Sequence, residues 1–195
     1  LSGLSRDVVK AIPLLRDFTC YDGTSISNRS IKFFTLSSLH QATGELIGKS
    51  KSGTIHADDK ALAIAFWNAV IAQMPDWQRV GSREVSSFEL RRDYIHAHGV
   101  AVLAIAKAGG QLIKAHPKDW ARKLTKLRTI DWARANRALW DNRALVAGKV
   151  NKSKNNVTLV TNVIVRALGL PLSPEGQRIE DLYAPMDNVQ LKVVG

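Results

Sequence analysis

The sequence ALAIAFWNAVIA at residues 61–72 and the sequence GVAVLAIAKAGG at residues 99–110 decide the fold. Both are almost wholly apolar, yet each is much shorter than the ~20 residues that a membrane-spanning helix needs. Apolar runs of this length are typical of helices buried in the core of a globular protein. They predict an all-α protein, with the first run as its central helix. We interpret Gly109-Gly110 as a turn.

Outside these two runs, apolar residues at helical spacing and capping residues predict further helices. The fold class is therefore all-α, a compact bundle of about six or seven helices with a short C-terminal strand at residues 188–194, NVQLKVV. The predicted helices span residues 30–47, 58–74, 88–113, 117–127, 130–142, 157–169 and 174–183. The residues expected to cap them are Ser27 or Asn28, Ser86 or Ser87, Thr129, and Asn155 or Asn156.

The composition predicts one compact domain. Hydrophobic residues make up 45% and charged residues 23% of the chain, which is ordinary for a globular protein and argues against disorder. Residues 1–26 are interpreted as a lead-in that continues from a missing N-terminal region, and residues 27–195 as a helical domain. No signal peptide is recognisable, and the single cysteine, Cys20, excludes an intrachain disulfide. We expect a soluble, cytoplasmic protein with no membrane contact.

The positive charge is concentrated in one segment. Residues 107–166 hold fourteen Lys and Arg against Asp119, Asp131 and Asp141, so they carry the whole formal net charge of +11. Such a concentration is typical of segments that neutralise phosphates and predicts nucleic-acid binding. Two alternatives remain open, a generally basic soluble protein and a protein that binds a membrane surface.

No motif predicts catalysis, a metal or a cofactor. The chain contains no HExxH sequence and no GxxxxGK[ST] phosphate loop. His96 and His98 lie two residues apart, and on a helix such positions diverge by roughly 200°, so one metal cannot readily bind both. We expect one of these histidines to be packed and the other to lie on a polar surface. Cys20 is interpreted as a passive thiol, and we expect that the chain is not an enzyme.

The basic segment supplies the candidate DNA contacts. Three tryptophans, Trp120, Trp132 and Trp140, lie between its cations and either stack on bases or, as their helical spacing favours, belong to the core. Asn151, Asn155 and Asn156 are candidate contacts to bases or to the backbone, although a solvated loop is the alternative for each residue. Replacing Lys152 and Lys154 together by alanine should weaken binding to all sequences. The predicted phosphate contacts are Lys123, Lys126, Arg134, Arg137, Arg143, Lys149, Lys152 and Lys154.

Several of these stretches resemble a known family. The segments are SNRSIKFFTLSSLHQATGEL (27–46), FWNAVIAQMPDW (66–77), RRDYIHAHGVAVLAIAKAG (91–109), IDWARANRALWDN (130–142) and KNNVTLVTN (154–162). Together they resemble the C-terminal half of the DndB family, the B component of the bacterial DNA phosphorothioation (Dnd) system. The resemblance extends from about residue 27 to residue 183.

The resemblance implies a repressor that binds double-stranded DNA at the promoter of the sulfur-modification genes. It also implies an N-terminal DGQHR signature, and no such sequence occurs in this chain. Two other functions stay open: a module that docks on other sulfur-modification proteins without DNA specificity, and an accessory part of a nucleotide-hydrolysing enzyme. A homo-oligomer is left open as well. The resemblance gives no catalytic residue for this part of the family.

Overall fold

The computed structural model describes residues 1–27, 29–48 and 54–183. Over these residues the chain folds into α-helices with two very small sheets, so the predicted all-α class is confirmed. It has more helices than the six or seven expected, because several are only about one turn long. The predicted strand at residues 188–194 lies outside the described residues. The helices are α1 (Ser2–Ala11), α2 (Pro13–Phe18), α3 (Leu36–Ile47), α4 (Ala57–Ala72), α5 (Pro75–Gly81), α6 (Ser87–Asp93), α7 (Gly99–Ala115), α8 (Trp120–Lys123), α9 (Arg137–Trp140), α10 (Lys154–Ala167) and α11 (Pro174–Tyr183).

Two short sheets and two 3₁₀ turns connect these helices. The strand β1 (Thr19–Cys20) pairs in parallel with β2 (Phe34–Thr35). The strands β3 (Leu145–Val146) and β4 (Lys149–Val150) form an antiparallel hairpin. The 3₁₀ turns are Ile95–Ala97, before α7, and Leu124–Thr129, after α8.

Helix α7 forms the centre of the core, where it packs against both α3 and α10. The central position had been expected for α4, but α4 buries only one face, through Phe66, Trp67 and Val70. Helix α1 joins the same core through Val8 and Val9. Among the described residues, none of the helices combines the length and the hydropathy needed to cross a membrane.

Hydrogen bonds to residues distant in the sequence interrupt the helix that was predicted over residues 88–113. Tyr94 forms an antiparallel bridge with Ala133, and the Ile95 amide donates to the Trp132 carbonyl at 2.9 Å. These bonds hold Tyr94 in an extended conformation, with φ −131° and ψ 141°. The segment is therefore divided into α6, a 3₁₀ turn and α7. As a result, α7 has an N-terminus of its own at Gly99.

The two basic helices predicted at residues 117–127 and 130–142 are much shorter than expected. Helix α8 has four residues and continues as a 3₁₀ turn, and α9 also has four residues. Asp131 accepts hydrogen bonds at 3.0 Å from the Ala133 amide and from Nδ2 of Asn136. Such local side-chain bonds compete with helix formation. Asn136, and not Thr129, therefore caps the helix that remains.

Side chains that accept backbone hydrogen bonds cap three of the other helices, α3, α6 and α10. Ser86, one of the two residues expected to cap α6, does so and forms a capping box with Glu89. Helix α3 is capped by Thr35 rather than by Ser27 or Asn28, because residues 34–35 first pair as β2. Helix α10 is capped by Ser153, just before the predicted Asn155 or Asn156.

Gly109 and Gly110 lie inside α7, so their interpretation as a turn is wrong. Gly110 lies against the backbone carbonyls of Glu45 and Leu46 in α3. A Cβ atom on Gly109 would lie 2.3 Å from two ring atoms of Phe66 in α4. The two glycines therefore let α7 approach both neighbouring helices closely, which the sequence alone does not distinguish from a turn.

We expect the substitution Gly109→Ala to lower the free energy of unfolding by about 1–3 kcal/mol, as overpacking of a core usually does. The Phe66 ring cannot easily yield, because it is fully buried beside Trp67. Urea denaturation measures the effect. Gly3→Ala is the matched control, since no atom lies within 4 Å of a Cβ there and alanine favours the helix. Equal effects of the two substitutions would contradict the close approach at Gly109.

Candidate functional site

Three of the predicted DNA contacts are used within the fold, in hydrogen bonds and ion pairs to other parts of the chain. Arg143 forms a bidentate ion pair with Glu180 of α11, and their side chains are only 12% and 7% exposed. Asn156 is buried and donates to the carbonyls of Asn142 and Arg143. Oδ1 of Asn151 accepts from the Ser153 amide at 2.8 Å. These contacts hold the β3–β4 hairpin and the start of α10 in place.

Arg137, although exposed, pairs with Asp141 at 2.6 Å. Lys154 pairs with Glu175 at 2.8 Å, and both side chains are largely exposed. Exposed pairs of this kind are weak and can exchange for a phosphate. Arg137 and Lys154 therefore remain predicted contacts whose charge is already partly compensated.

The tryptophans of the basic segment belong to the core. Trp140 is fully buried, Trp132 is 6% exposed, and their rings stack at a centroid distance of 5.4 Å. Trp120 is half-buried and lies 6.1 Å from the Phe66 ring. The core interpretation is thus confirmed for Trp132 and Trp140, which cannot stack on bases in this fold.

A run of cations on α8 and the following 3₁₀ turn forms a continuous basic surface, here called the basic ridge. Leu124 and Leu127 bury the inner side of this segment, so its charged side chains are left on the outside. Its one acid, Asp119, pairs with Arg122 at 3.0 Å. Within the described part of the chain, the other ridge cations have no carboxylate within ion-pair distance. The basic ridge comprises Lys118, Arg122, Lys123, Lys126 and Arg128.

The ridge includes two predicted contacts, Lys123 and Lys126. Lys126 is exposed and Lys123 is half-buried, and neither side chain bonds to another described residue. Asn155 and Lys149 are exposed as well, but they lie at the start of α10 and on β4. Predicted contacts with free side chains are therefore spread over more than one part of the surface.

A second cationic feature is a pocket of about 410 Å³, here called the cationic pocket. It lies between the N-terminal ends of α3 and α7, the helix α6, and residues 24–26. Its walls contain four cations and, among the lining residues, no carboxylate. The cations are Arg91, Arg92, Arg134 and Lys152.

Two cations of the cationic pocket hydrogen-bond only to neutral groups. Nη2 of Arg134 donates to the Gly148 carbonyl at 3.0 Å. Nζ of Lys152 donates to Oγ of Ser38 at 3.3 Å and to Oε1 of Gln41 at 3.1 Å. Burial lowers the pKa of Lys152, as expected where no negative charge offsets the loss of water.

The other two cations are held differently. Arg91 is buried, and its guanidinium donates to the backbone carbonyls of Ser27, Ser30 and Lys32. Burial lowers the pKa of Arg91. Arg92 is exposed and forms a bidentate pair with Asp93. Backbone carbonyls thus occupy the guanidinium of Arg91 and Asp93 pairs with Arg92, which leaves Arg134 and Lys152 as the pocket cations best placed to meet an anion.

The two histidines of the HAH sequence have separate environments. His96 is buried as expected for one of them, accepting from the Trp77 indole at 3.0 Å and donating towards Asp76 at 3.3 Å. His98, expected on a polar surface, is instead half-buried in the cationic pocket, where its Nε2 donates to the Arg91 carbonyl at 2.8 Å. Burial, together with the nearby charges of Arg134 and Arg91, lowers the pKa of His98 to about 4.

Sequence patterns identified only part of this pocket. Arg134 and Lys152 were predicted contacts, but Arg91 and Arg92 precede the basic segment and were assigned to a continuous helix. The adjacent arginine pair just before His96 and His98 was the available signal. The predicted helix is interrupted at Tyr94, and this interruption brings Arg91 and Arg92 close to Arg134. It depends on the β-bridge between Tyr94 and Ala133, which are 39 residues apart, so no local sequence pattern indicates it.

Comparison with known proteins supports the resemblance described above. The model of the DndB family, described as DNA-sulfur modification-associated, matches residues 1–171 of the 195-residue chain. This match includes α1 and α2, which precede the resemblance seen in the sequence. No curated protein and no solved structure gives a significant match. The chain belongs to the DndB family of DNA-sulfur-modification-associated proteins.

Proposed function

We propose that this protein binds double-stranded DNA in the bacterial cytoplasm and represses transcription of the DNA phosphorothioation genes. The observation that supports it best is the basic ridge, where Lys118, Lys123, Lys126 and Arg128 have no carboxylate partner among the described residues. DNA phosphates attract such clustered cations, and the DNA releases condensed counterions when the cations bind to it. The membership in a family associated with DNA sulfur modification supplies the biological context.

The position of the ridge favours contact with a DNA backbone over the reading of bases. Its cations lie on one short segment, and Leu124 and Leu127 anchor the segment to the core. Such anchoring fixes the charges without the cost of ordering a flexible loop. The β3–β4 hairpin adds Lys149 at a separate exposed position. Sequence preference would then depend on base contacts additional to these phosphate contacts.

The repressor proposal is tested by measuring binding to the operon promoter, to unrelated DNA and to RNA over a range of salt concentrations. We expect the promoter to be bound at least tenfold more tightly than unrelated DNA at equal salt. Equal affinity for both DNAs would leave only charge-driven binding and would contradict a specific repressor. Stronger binding to RNA would contradict the choice of nucleic acid.

The double substitution Lys123→Ala/Lys126→Ala should weaken DNA binding at every sequence tested. Each lost phosphate contact makes the slope of log K against log salt concentration less negative by ~0.9, so the slope should become less steep by about 2. The affinity at 0.1 M salt should fall by roughly 60-fold. Fluorescence anisotropy with labelled DNA measures both quantities.

Arg6→Ala/Lys10→Ala provides the control. It removes the same charge from exposed positions of α1, and we expect a much smaller change in slope. If the ridge variant keeps the slope of the unmodified protein, the ridge is not the phosphate-binding surface.

A further inference from the structure

The cationic pocket has the dimensions and composition of a small-ligand site. Its volume of about 410 Å³ lies within the ~300–1,000 Å³ typical of small-molecule sites. It contains cations, hydroxyl groups and aromatic rings in one concave space. The basic ridge is a separate feature, because none of its residues lines this pocket.

One end of the pocket is suited to a phosphate group. Lys152 reaches Ser38 there, and both lie beside Gly99 at the start of α7. A Cβ atom on Gly99 would lie 2.8 Å from Oγ of Ser38 and 3.6 Å from Nζ of Lys152. Glycine at position 99 therefore lets the lysine ammonium and the serine hydroxyl come close to the start of α7, so that both donors lie together at this end of the pocket.

The backbone of α7 adds donors at the same end. Its N-cap residue, His98, makes no side-chain capping bond, so the first amides of this 17-residue helix are not satisfied by a side chain. Amides without a capping side chain and the helix dipole favour an anion at such a position. This contribution is secondary to the charges of Arg134 and Lys152, which already line the pocket without a carboxylate partner.

The charge balance favours a phosphate monoester over a DNA phosphodiester. A monoester carries about −1.5 to −2 at pH 7 and has three strong acceptor oxygens, which matches two uncompensated cations and several neutral donors. A phosphodiester carries a single negative charge. Phe88 also lines the pocket, and its exposed side chain lies under the guanidinium of Arg92. Phe88 offers an aromatic wall to an organic group.

We infer that the cationic pocket binds a phosphate monoester of the size of a nucleoside monophosphate, with its phosphate at Lys152, Arg134, Ser38 and Gly99. The organic group lies toward Phe88. This site is separate from the basic ridge and does not depend on the proposed DNA binding.

Isothermal titration calorimetry with AMP, adenosine and inorganic phosphate tests the site in the absence of DNA. We expect saturable binding of AMP, at least tenfold weaker binding of adenosine, and displacement of AMP by millimolar inorganic phosphate. The inference is overturned by any one of three results. These are no saturable binding of AMP, equal binding of adenosine and AMP, and no competition by phosphate.

Substitutions then locate the site. Lys152→Met should weaken AMP binding at least tenfold, while Lys152→Arg should restore most of it. Lys149→Met is the matched control, because Lys149 is exposed on the nearby hairpin and does not line the pocket. Circular dichroism and thermal melting show whether each variant is folded. Equal effects of Lys152→Met and Lys149→Met would overturn the assignment to this pocket.

Discussion

Replacement of Glu180 by alanine should lower the free energy of unfolding by about 3–5 kcal/mol, because it leaves a buried arginine without its counterion. Glu180 accepts hydrogen bonds from Arg143, Arg166 and Asn162, at distances from 2.5 to 3.0 Å. Burial alone would raise the pKa of Glu180. The hydrogen bonds and charges of its partners outweigh burial and hold this pKa below its usual value.

Urea denaturation measures the loss of stability in Glu180→Ala and in the control Glu175→Ala. The two variants are directly comparable because both glutamates lie on α11 and both pair with a cation. Glu175 pairs with Lys154 at the surface, so its loss should cost less than about 1 kcal/mol. The double substitution Arg143→Met/Glu180→Leu should cost less than Glu180→Ala, since it removes both buried charges. Similar losses for Glu180→Ala and Glu175→Ala would show that the Arg143 pair is not effectively buried.

The Glu180 network also explains why one predicted DNA contact has another function. Arg143 lies in a cationic loop, and local sequence gives no reason to separate it from Lys149 or Lys152. Its partner is 37 residues away on α11, and the Tyr183 ring covers its guanidinium at 4.3 Å. Charge patterns predict which segments are basic. They do not predict which cations the fold neutralises.

Helices with a strong apolar pattern were the most predictable part of the fold. Helices α4, α10 and α11 lie close to their expected positions, since a buried face and a proline or a polar cap define each of them. The helix predicted at residues 130–142 is largely absent because the backbone of this segment forms hydrogen bonds with other elements. Arg134, for example, donates its amide to the Asp93 carbonyl at 2.8 Å. Tertiary contacts of this kind override local helix propensity.

The sequence predicted which segment carries the candidate functional residues, but not how these residues are arranged on the surface. The excess of charge in residues 107–166 drew attention to Lys123, Lys126, Arg134 and Lys152, which have no carboxylate partner among the described residues. It could not indicate that the last two face a pocket while the first two lie on a ridge. That distinction depends on the break before α7, which brings α6 beside residues distant in the sequence.

Acidification from pH 7 to pH 4 should remove about 3 kcal/mol of stability through His98 alone. Its pKa in the folded protein is about 4, against the ordinary value of 6.5. Between these values the unfolded chain binds a proton that the folded protein does not, so stability falls as pH falls below about 6.5 and the loss is complete near pH 4. Each unit of difference corresponds to about 1.4 kcal/mol. His96 adds a loss in the same direction, since burial also lowers its pKa.

Denaturant unfolding of His98→Gln at several pH values isolates this contribution. We expect this variant to lose clearly less stability than the unmodified protein between pH 6.5 and pH 5. The lowered pKa values of Asp76 and Glu180 act mainly at more acidic pH, because their ordinary values are 3.8 and 4.5. His116→Gln changes a more exposed imidazole and serves as the control. If His98→Gln and the unmodified protein lose stability equally over this range, burial in the fold does not hold His98 neutral.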